Sequence, residues 1–189
     1  MGSSSRNSHG KLSVLGLAAA VSLLLGTATE AAGESHNFVL TAYSNGKGGP
    51  DLINGDYNAA GKALQHHVNL LGGTDGSTSS NNRCVALTVT KQWQAAKVAC
   101  DEAVRDAEQE KATLPSYQYW ARKLENDYVA VALSNRAVFH WMSSDSEAAA
   151  ADLKRAEQLS PKAAFVTRNK SALEFSHFAV AQVEVAPSK

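Results

Sequence analysis

Most of the chain after residue 51 has the apolar and polar periodicity of an amphipathic helix. Six segments share this pattern and consist almost entirely of strong helix formers: DYNAAGKALQHHVNLL, NRCVALTV, WQAAKVACDEAVRDAEQE, SYQYWARKLENDYVAVALSNRAVFHWM, EAAAADLKRAEQL and KAAFVTRNKSALEF. Helix-breaking or capping residues separate them. The pattern therefore predicts an all-α domain of about six helices with short connections.

The predicted connections are LGGTDGSTSS between the first two helices, residues 143–146 (SSDS) as a turn and N-cap, and Ser160-Pro161 between the last two. An earlier run of breakers, SNGKGGP, is predicted to be a loop. The preceding segment GESHNFVLTAY allows a short strand, and FAVAQVEVA near the C-terminus is its one candidate partner. The sequence therefore allows a pair of short strands at the termini of a domain that is otherwise all-α.

Two parts of the helical region repeat each other at a fixed offset. With Asn82 placed on Asn135, six identities coincide: Asn82/Asn135, Arg83/Arg136, Val85/Val138, Ala95/Ala148, Ala96/Ala149 and Ala103/Ala156. Small residues also coincide at Cys84 and Ala137. Antiparallel helices approach closely only where side chains are small, so each copy is predicted to be a helical hairpin that stacks on the next.

The second copy, SNRAVFHWMSSDSEAAAADLKRAEQLSP, resembles a tetratricopeptide repeat (TPR). Four of its residues match the family's small and proline positions: Ala137, Ala149, Ala156 and Pro161. The first copy matches through Cys84, Trp93, Ala96 and Ala103, and GDYNAAGKAL resembles part of a degenerate unit. KAAFVTRNKSALEF resembles a capping helix, so the resemblance covers residues 51–178.

The spacing of the units departs from the family period of 34 residues. Ala60 to Ala96 spans 36 residues and Ala96 to Ala149 spans 53, with the additional residues between 105 and 129. The helices on either side of Pro115 are therefore predicted to be long. A compact short α-solenoid of about two and a half repeats is expected instead of a regular superhelix.

The N-terminal residues have the three-part pattern of a secretory signal peptide. Arg6 and Lys11 precede an apolar run over residues 12–26, and the small residues TATEAAG follow. Fifteen apolar residues fall short of the ~20 that span a bilayer, so cleavage near Ala28 to Ala32 is predicted, with an uncleaved anchor as the alternative. The predicted domains are a signal peptide (1–32), a linker or short extended segment (33–50), the helical domain (51–178) and a C-terminal tail (179–189).

Export would place the two cysteines in an oxidising compartment, the bacterial periplasm or the exterior. On the repeat register Cys84 and Cys100 face the same interhelical gap, so a disulfide is predicted, with two buried free thiols as the alternative. A redox-active pair would need C-x-x-C at a helix N-terminus, and a zinc site would need further ligands nearby. Neither pattern is present.

The remaining composition points away from several functional classes. Eighteen basic and eighteen acidic residues balance, so the charge pattern of a nucleic-acid binder is absent. The sequence contains no phosphate-loop, nucleophile-elbow or dinucleotide motif, and its six histidines are scattered. The chain is therefore predicted to be a non-enzyme without cofactor or metal.

The TPR resemblance implies a protein-interaction module or scaffold whose first helices line a concave face. That face would present Asn81, Asn82, Val85, Thr88, Val89, Val131, Ser134, Asn135, Val138, Trp141, Met142, Phe165 and Asn169. Asparagines would bind the main chain of an extended peptide or partner helix, with aromatic side chains as anchors. Alternatively, Trp141 and Met142 only cover the core. Other functions considered are a structural or envelope-associated subunit held by an uncleaved N-terminal helix and a thiol oxidoreductase.

Overall fold

A computed structural model describes residues 37–65, 76–113, 119–175 and 181–186. The predicted signal peptide lies outside the described residues. Within them the chain is mostly helical, with seven helices and two short strands, which confirms the all-α class with short terminal strands. All described residues belong to one compact unit, which includes residues 37–50 of the predicted linker and residues 181–186 of the predicted tail.

The elements are β1 (Phe38–Ala42), α1 (Gly49–Ile53), α2 (Tyr57–Gln65), α3 (Gly76–Val89), α4 (Trp93–Thr113), α5 (Tyr119–Met142), α6 (Ser146–Leu159), α7 (Ala164–Glu174) and β2 (Ala181–Val185). Helix α3 packs most extensively on α4, and α5 on α6, as the repeat predicts for two hairpins. Helix α7 then packs on both α5 and α6. The first helices of the successive units are therefore α3, α5 and α7.

Helix α3 begins earlier than the sequence indicates, because residues 76–80 of the predicted loop LGGTDGSTSS are helical. The carboxylate of Glu110 on α4 accepts the backbone N–H of Ser77 at 2.8 Å and its hydroxyl at 2.7 Å. Ser80 donates its hydroxyl to Asp106 at 2.6 Å. Long-range contacts therefore satisfy polar groups that would otherwise favour a turn.

The small residues that define the repeat lie in the seams between helices. Six of them are completely buried: Cys84, Ala96, Ala103, Ala137, Ala149 and Ala156. Cys84 and Cys100 are joined by a disulfide with their Cα atoms 4.6 Å apart, so the predicted pairing of α3 with α4 is confirmed. Helix α6 begins after Asp145, whose side chain accepts the N–H of Ala148 at 3.0 Å as the SSDS pattern predicts.

The chain after β1 approaches Tyr43 closely at Gly49, the first residue of α1. A Cβ atom at Gly49 would lie 2.1 Å from the backbone oxygen of Tyr43, whereas a Cβ at Gly61 on α2 would meet nothing within 4 Å. Gly49→Ala is expected to lower the free energy of unfolding in urea by about 1–3 kcal/mol. Gly61→Ala, the matched control, should raise it by about 0.5–1 kcal/mol. Equal unfolding midpoints for wild type and Gly49→Ala would contradict this close approach.

Candidate functional site

Strand β1 lies across the first helices, and three asparagines hold its backbone. Each asparagine accepts the N–H of one residue on Oδ1 and donates from Nδ2 to the C=O of the same residue. The pairs are Asn169 with Val39 (2.6 and 2.9 Å), Asn135 with Thr41 (2.7 and 2.8 Å) and Asn82 with Tyr43 (2.8 and 2.9 Å). We call Asn82, Asn135 and Asn169 the asparagine ladder.

The ladder fits the geometry of an extended chain. Its asparagines come from α3, α5 and α7, and they bind every second residue, whose backbone groups point to the same edge of a strand. At the opposite edge β1 pairs with β2 in parallel register, Leu40 opposite Val183, and Ala42 accepts the N–H of Ala186 at 2.7 Å. Both edges of β1 are therefore hydrogen-bonded.

Further polar groups complete this network. Asn81 donates to the C=O of Thr41 at 2.8 Å and accepts from Asn135 at 2.9 Å, while Asn169 donates to the hydroxyl of Ser134 at 2.8 Å. These four side chains are at most 1% exposed. Buried amides are costly unless they are paired, so the network specifies both the position and the register of β1.

The residues predicted to form the concave face come together, but β1 covers most of them. Asn82, Ser134, Asn135 and Asn169 bind the strand or each other, and Val85 and Val138 are completely buried. Val89, Trp141 and Met142 are half-buried beside the apolar cluster that contains Phe38 and Leu40. The rings of Phe38 and Trp141 lie 4.3 Å apart. This part of the face is therefore filled by the chain's own strand and not open to a partner.

A cleft of about 450 Å³ lies beside β1, next to the residues predicted to form the concave face. Its apolar lining consists of Tyr43, Leu124, Tyr128, Val131, Ala163, Ala164, Phe165 and Ala186. Of these, Val131 and Phe165 were predicted from the sequence. Tyr43, which directly follows β1, stacks on Tyr128 of α5 with ring centroids 5.0 Å apart. The position of β1 therefore shapes one wall of the cleft.

Four charged residues also line the cleft: Lys123, Asp127, Lys162 and Glu184. Asp127 accepts the hydroxyl of Ser160 at 2.5 Å, and Glu184 forms an ion pair with Arg168 at 2.6 Å. Both lysines are exposed, and neither forms an ion pair with another described residue. Arg168 thus neutralises the charge of Glu184, Ser160 gives Asp127 one hydrogen bond, and the two ammonium groups have no ion-pair partner among the described residues.

Burial, together with the nearby carboxylates of Glu125, Glu110 and Asp127, raises the pKa of Tyr128 to about 12. A phenol whose pKa is higher in the folded state stabilises the fold at neutral pH. That contribution is lost as the pH rises from 10.0 towards about 12. Absorbance titration should therefore show a phenolate step near pH 12 that Tyr128→Phe removes; the same step in both proteins would contradict the assignment.

Within the described ranges no group of three or more His, Cys, Asp or Glu residues could hold a metal ion. His140, half-buried, lies 3.8 Å from a carboxylate oxygen of Asp152 and 3.9 Å from one of Asp145.

Among the helices of the described part, none is long and apolar enough to cross a membrane. Neither a protein-family model nor a curated protein nor a solved structure matches the chain.

Proposed function

We propose that the protein is an exported, TPR-like interaction module without catalytic activity, and that it binds an extended segment of a partner protein in the cleft. The observation that carries this proposal is the asparagine ladder. The side-chain amides of the three asparagines bind only backbone groups of an extended segment. The face that carries them therefore already acts as a chain-binding surface for β1. The cleft continues that surface, since Tyr43 of the bound segment forms one of its walls.

The size and lining of the cleft support a partner with an apolar anchor. A volume of about 450 Å³ lies within the range of typical ligand pockets. Leu124, which lines the cleft, is 38% exposed. An aromatic or aliphatic side chain placed between Leu124, Tyr128 and Phe165 would remove these surfaces from water.

Export is supported by the disulfide, because such bonds persist in oxidising compartments. Mass measurement of the exported protein is expected to show a chain that lacks residues 1–28 at least. Retention of those residues would contradict a released protein and would favour the alternative of an envelope-associated subunit held by its N-terminal helix.

Site-specific photocross-linking tests the proposed binding site. A photoreactive phenylalanine analogue at Leu124 is expected to give adducts of discrete mass when the protein is irradiated in cells that export it. The control carries the analogue at Val98, which is 52% exposed on α4 and does not line the cleft. The same adducts from both positions, or none from Leu124, would contradict the cleft as the partner site.

A further inference from the structure

We propose that the partner segment carries an acidic residue next to its apolar anchor, and that Lys123 and Lys162 bind this residue at the mouth of the cleft. This inference rests on the proposed function and specifies the chemistry of the partner. It follows from the charges around the cleft: Glu184 is paired with Arg168, whereas Lys123 and Lys162 have no ion-pair partner among the described residues. Complementary charges across an interface favour correct partners and disfavour like-charged ones.

The two carboxylates that line the cleft already have partners in the protein. Ser160 donates to Asp127, and the guanidinium of Arg168 pairs with Glu184. A basic residue of a partner would have to compete with Arg168 for Glu184. Lys123 and Lys162 come from different elements, the first part of α5 and the turn before α7, and both extend into solvent. An incoming carboxylate can therefore pair with either ammonium group without breaking an ion pair among the described residues.

The inner part of the cleft sets the direction of the bound segment. The carboxylates of Glu110, Glu125 and Asp127 are near enough to the stacked tyrosines to raise the pKa of both phenols. The negative potential of these carboxylates disfavours an additional anion at the tyrosines, while the aromatic rings suit an apolar side chain. The anchor should therefore lie against Tyr43 and Tyr128, with the acidic residue outward at the lysines.

Selection of short random peptides displayed on phage tests this chemistry. Peptides recovered on wild-type protein should combine an aromatic or aliphatic residue with a nearby Asp or Glu. The double variant Lys123→Glu/Lys162→Glu should bind these peptides about tenfold more weakly, and added salt should weaken wild-type binding. Lys62→Glu/Lys154→Glu is the matched control, because it changes the net charge equally at two exposed lysines that do not line the cleft.

The outcomes separate this inference from the function on which it rests. Recovery of no consensus peptide would contradict both the peptide-binding function and its acidic partner. A consensus of apolar residues without acid, bound equally by wild type and the Lys123→Glu/Lys162→Glu variant, would overturn the inference alone. An acidic consensus that both double variants bind equally would also overturn it, because the acid would then not be bound by the two cleft lysines.

Discussion

Asn135→Ala is expected to destabilise the fold by about 2–5 kcal/mol, one of the two largest effects that we predict for a variant of this chain. The alanine leaves the buried N–H of Thr41 and the side-chain oxygen of Asn81 without the partners that Asn135 provides. Each unpaired buried group costs about 1–3 kcal/mol. Urea unfolding followed by circular dichroism measures the difference.

A matched control is Asn58→Ala on α2, where the asparagine is exposed. Its free energy of unfolding should lie within about 0.5 kcal/mol of wild type, as is usual for surface substitutions. If Asn135→Ala unfolds at the same urea concentration as Asn58→Ala, the ladder does not hold β1 in the way described.

Removing the disulfide is the second large effect. Cys84→Ala/Cys100→Ala is expected to lower stability by about 3 kcal/mol, because a cross-link between residues 16 apart restricts the unfolded chain. Urea unfolding of the variant and of wild type, each with and without reductant, measures the contribution. Reduced wild type should resemble the variant in stability, whereas the variant should not respond to reductant.

Two results would contradict this account of the cysteines. If reductant leaves the unfolding midpoint of fully reduced wild type unchanged, the disulfide contributes nothing to stability. If exported protein that is isolated without reductant and then unfolded is alkylated at both cysteines, the bond is not formed in the exported protein. Two buried thiols would then occupy the seam as small apolar residues.

The repeat register made much of the fold predictable. The register places Cys84 at a position equivalent to Ala137, and Ala96 at one equivalent to Ala149. Close helix packing requires small residues at both positions. The same register places Asn82 and Asn135 on one face, and Asn169 follows Asn135 after 34 residues. Where side chains recur at a regular spacing along helices, the spacing alone thus predicts which of them share a face or a seam.

The occupant of that face could not be predicted in the same way. Strand β1 has only five residues, and a strand of this length has no stability of its own without its partners. Those partners lie far along the chain, since Val39 and Asn169 are 130 residues apart. The TPR resemblance implied that asparagines would bind the main chain of an extended peptide or partner helix, but nothing in the sequence showed that this chain would be residues 38–43.

The cleft was predictable only in part for the same reason. Val131 and Phe165 follow from the register of the first helices, whereas Tyr43 reaches the cleft only because β1 ends there. Leu124 and Tyr128 lie on the long extension of α5, outside the repeated positions. Site residues contributed by a departure from the repeat therefore carried no periodic signal.

Amide hydrogen exchange measured by NMR tests the central claim most directly, namely that the ladder holds the chain at β1 against helices α3, α5 and α7. The N–H groups of Val39, Thr41 and Tyr43 donate to the three asparagines, so they should exchange only through global unfolding, as slowly as the core of α5. Exchange of these three amides at the rates of exposed loop residues would contradict the claim.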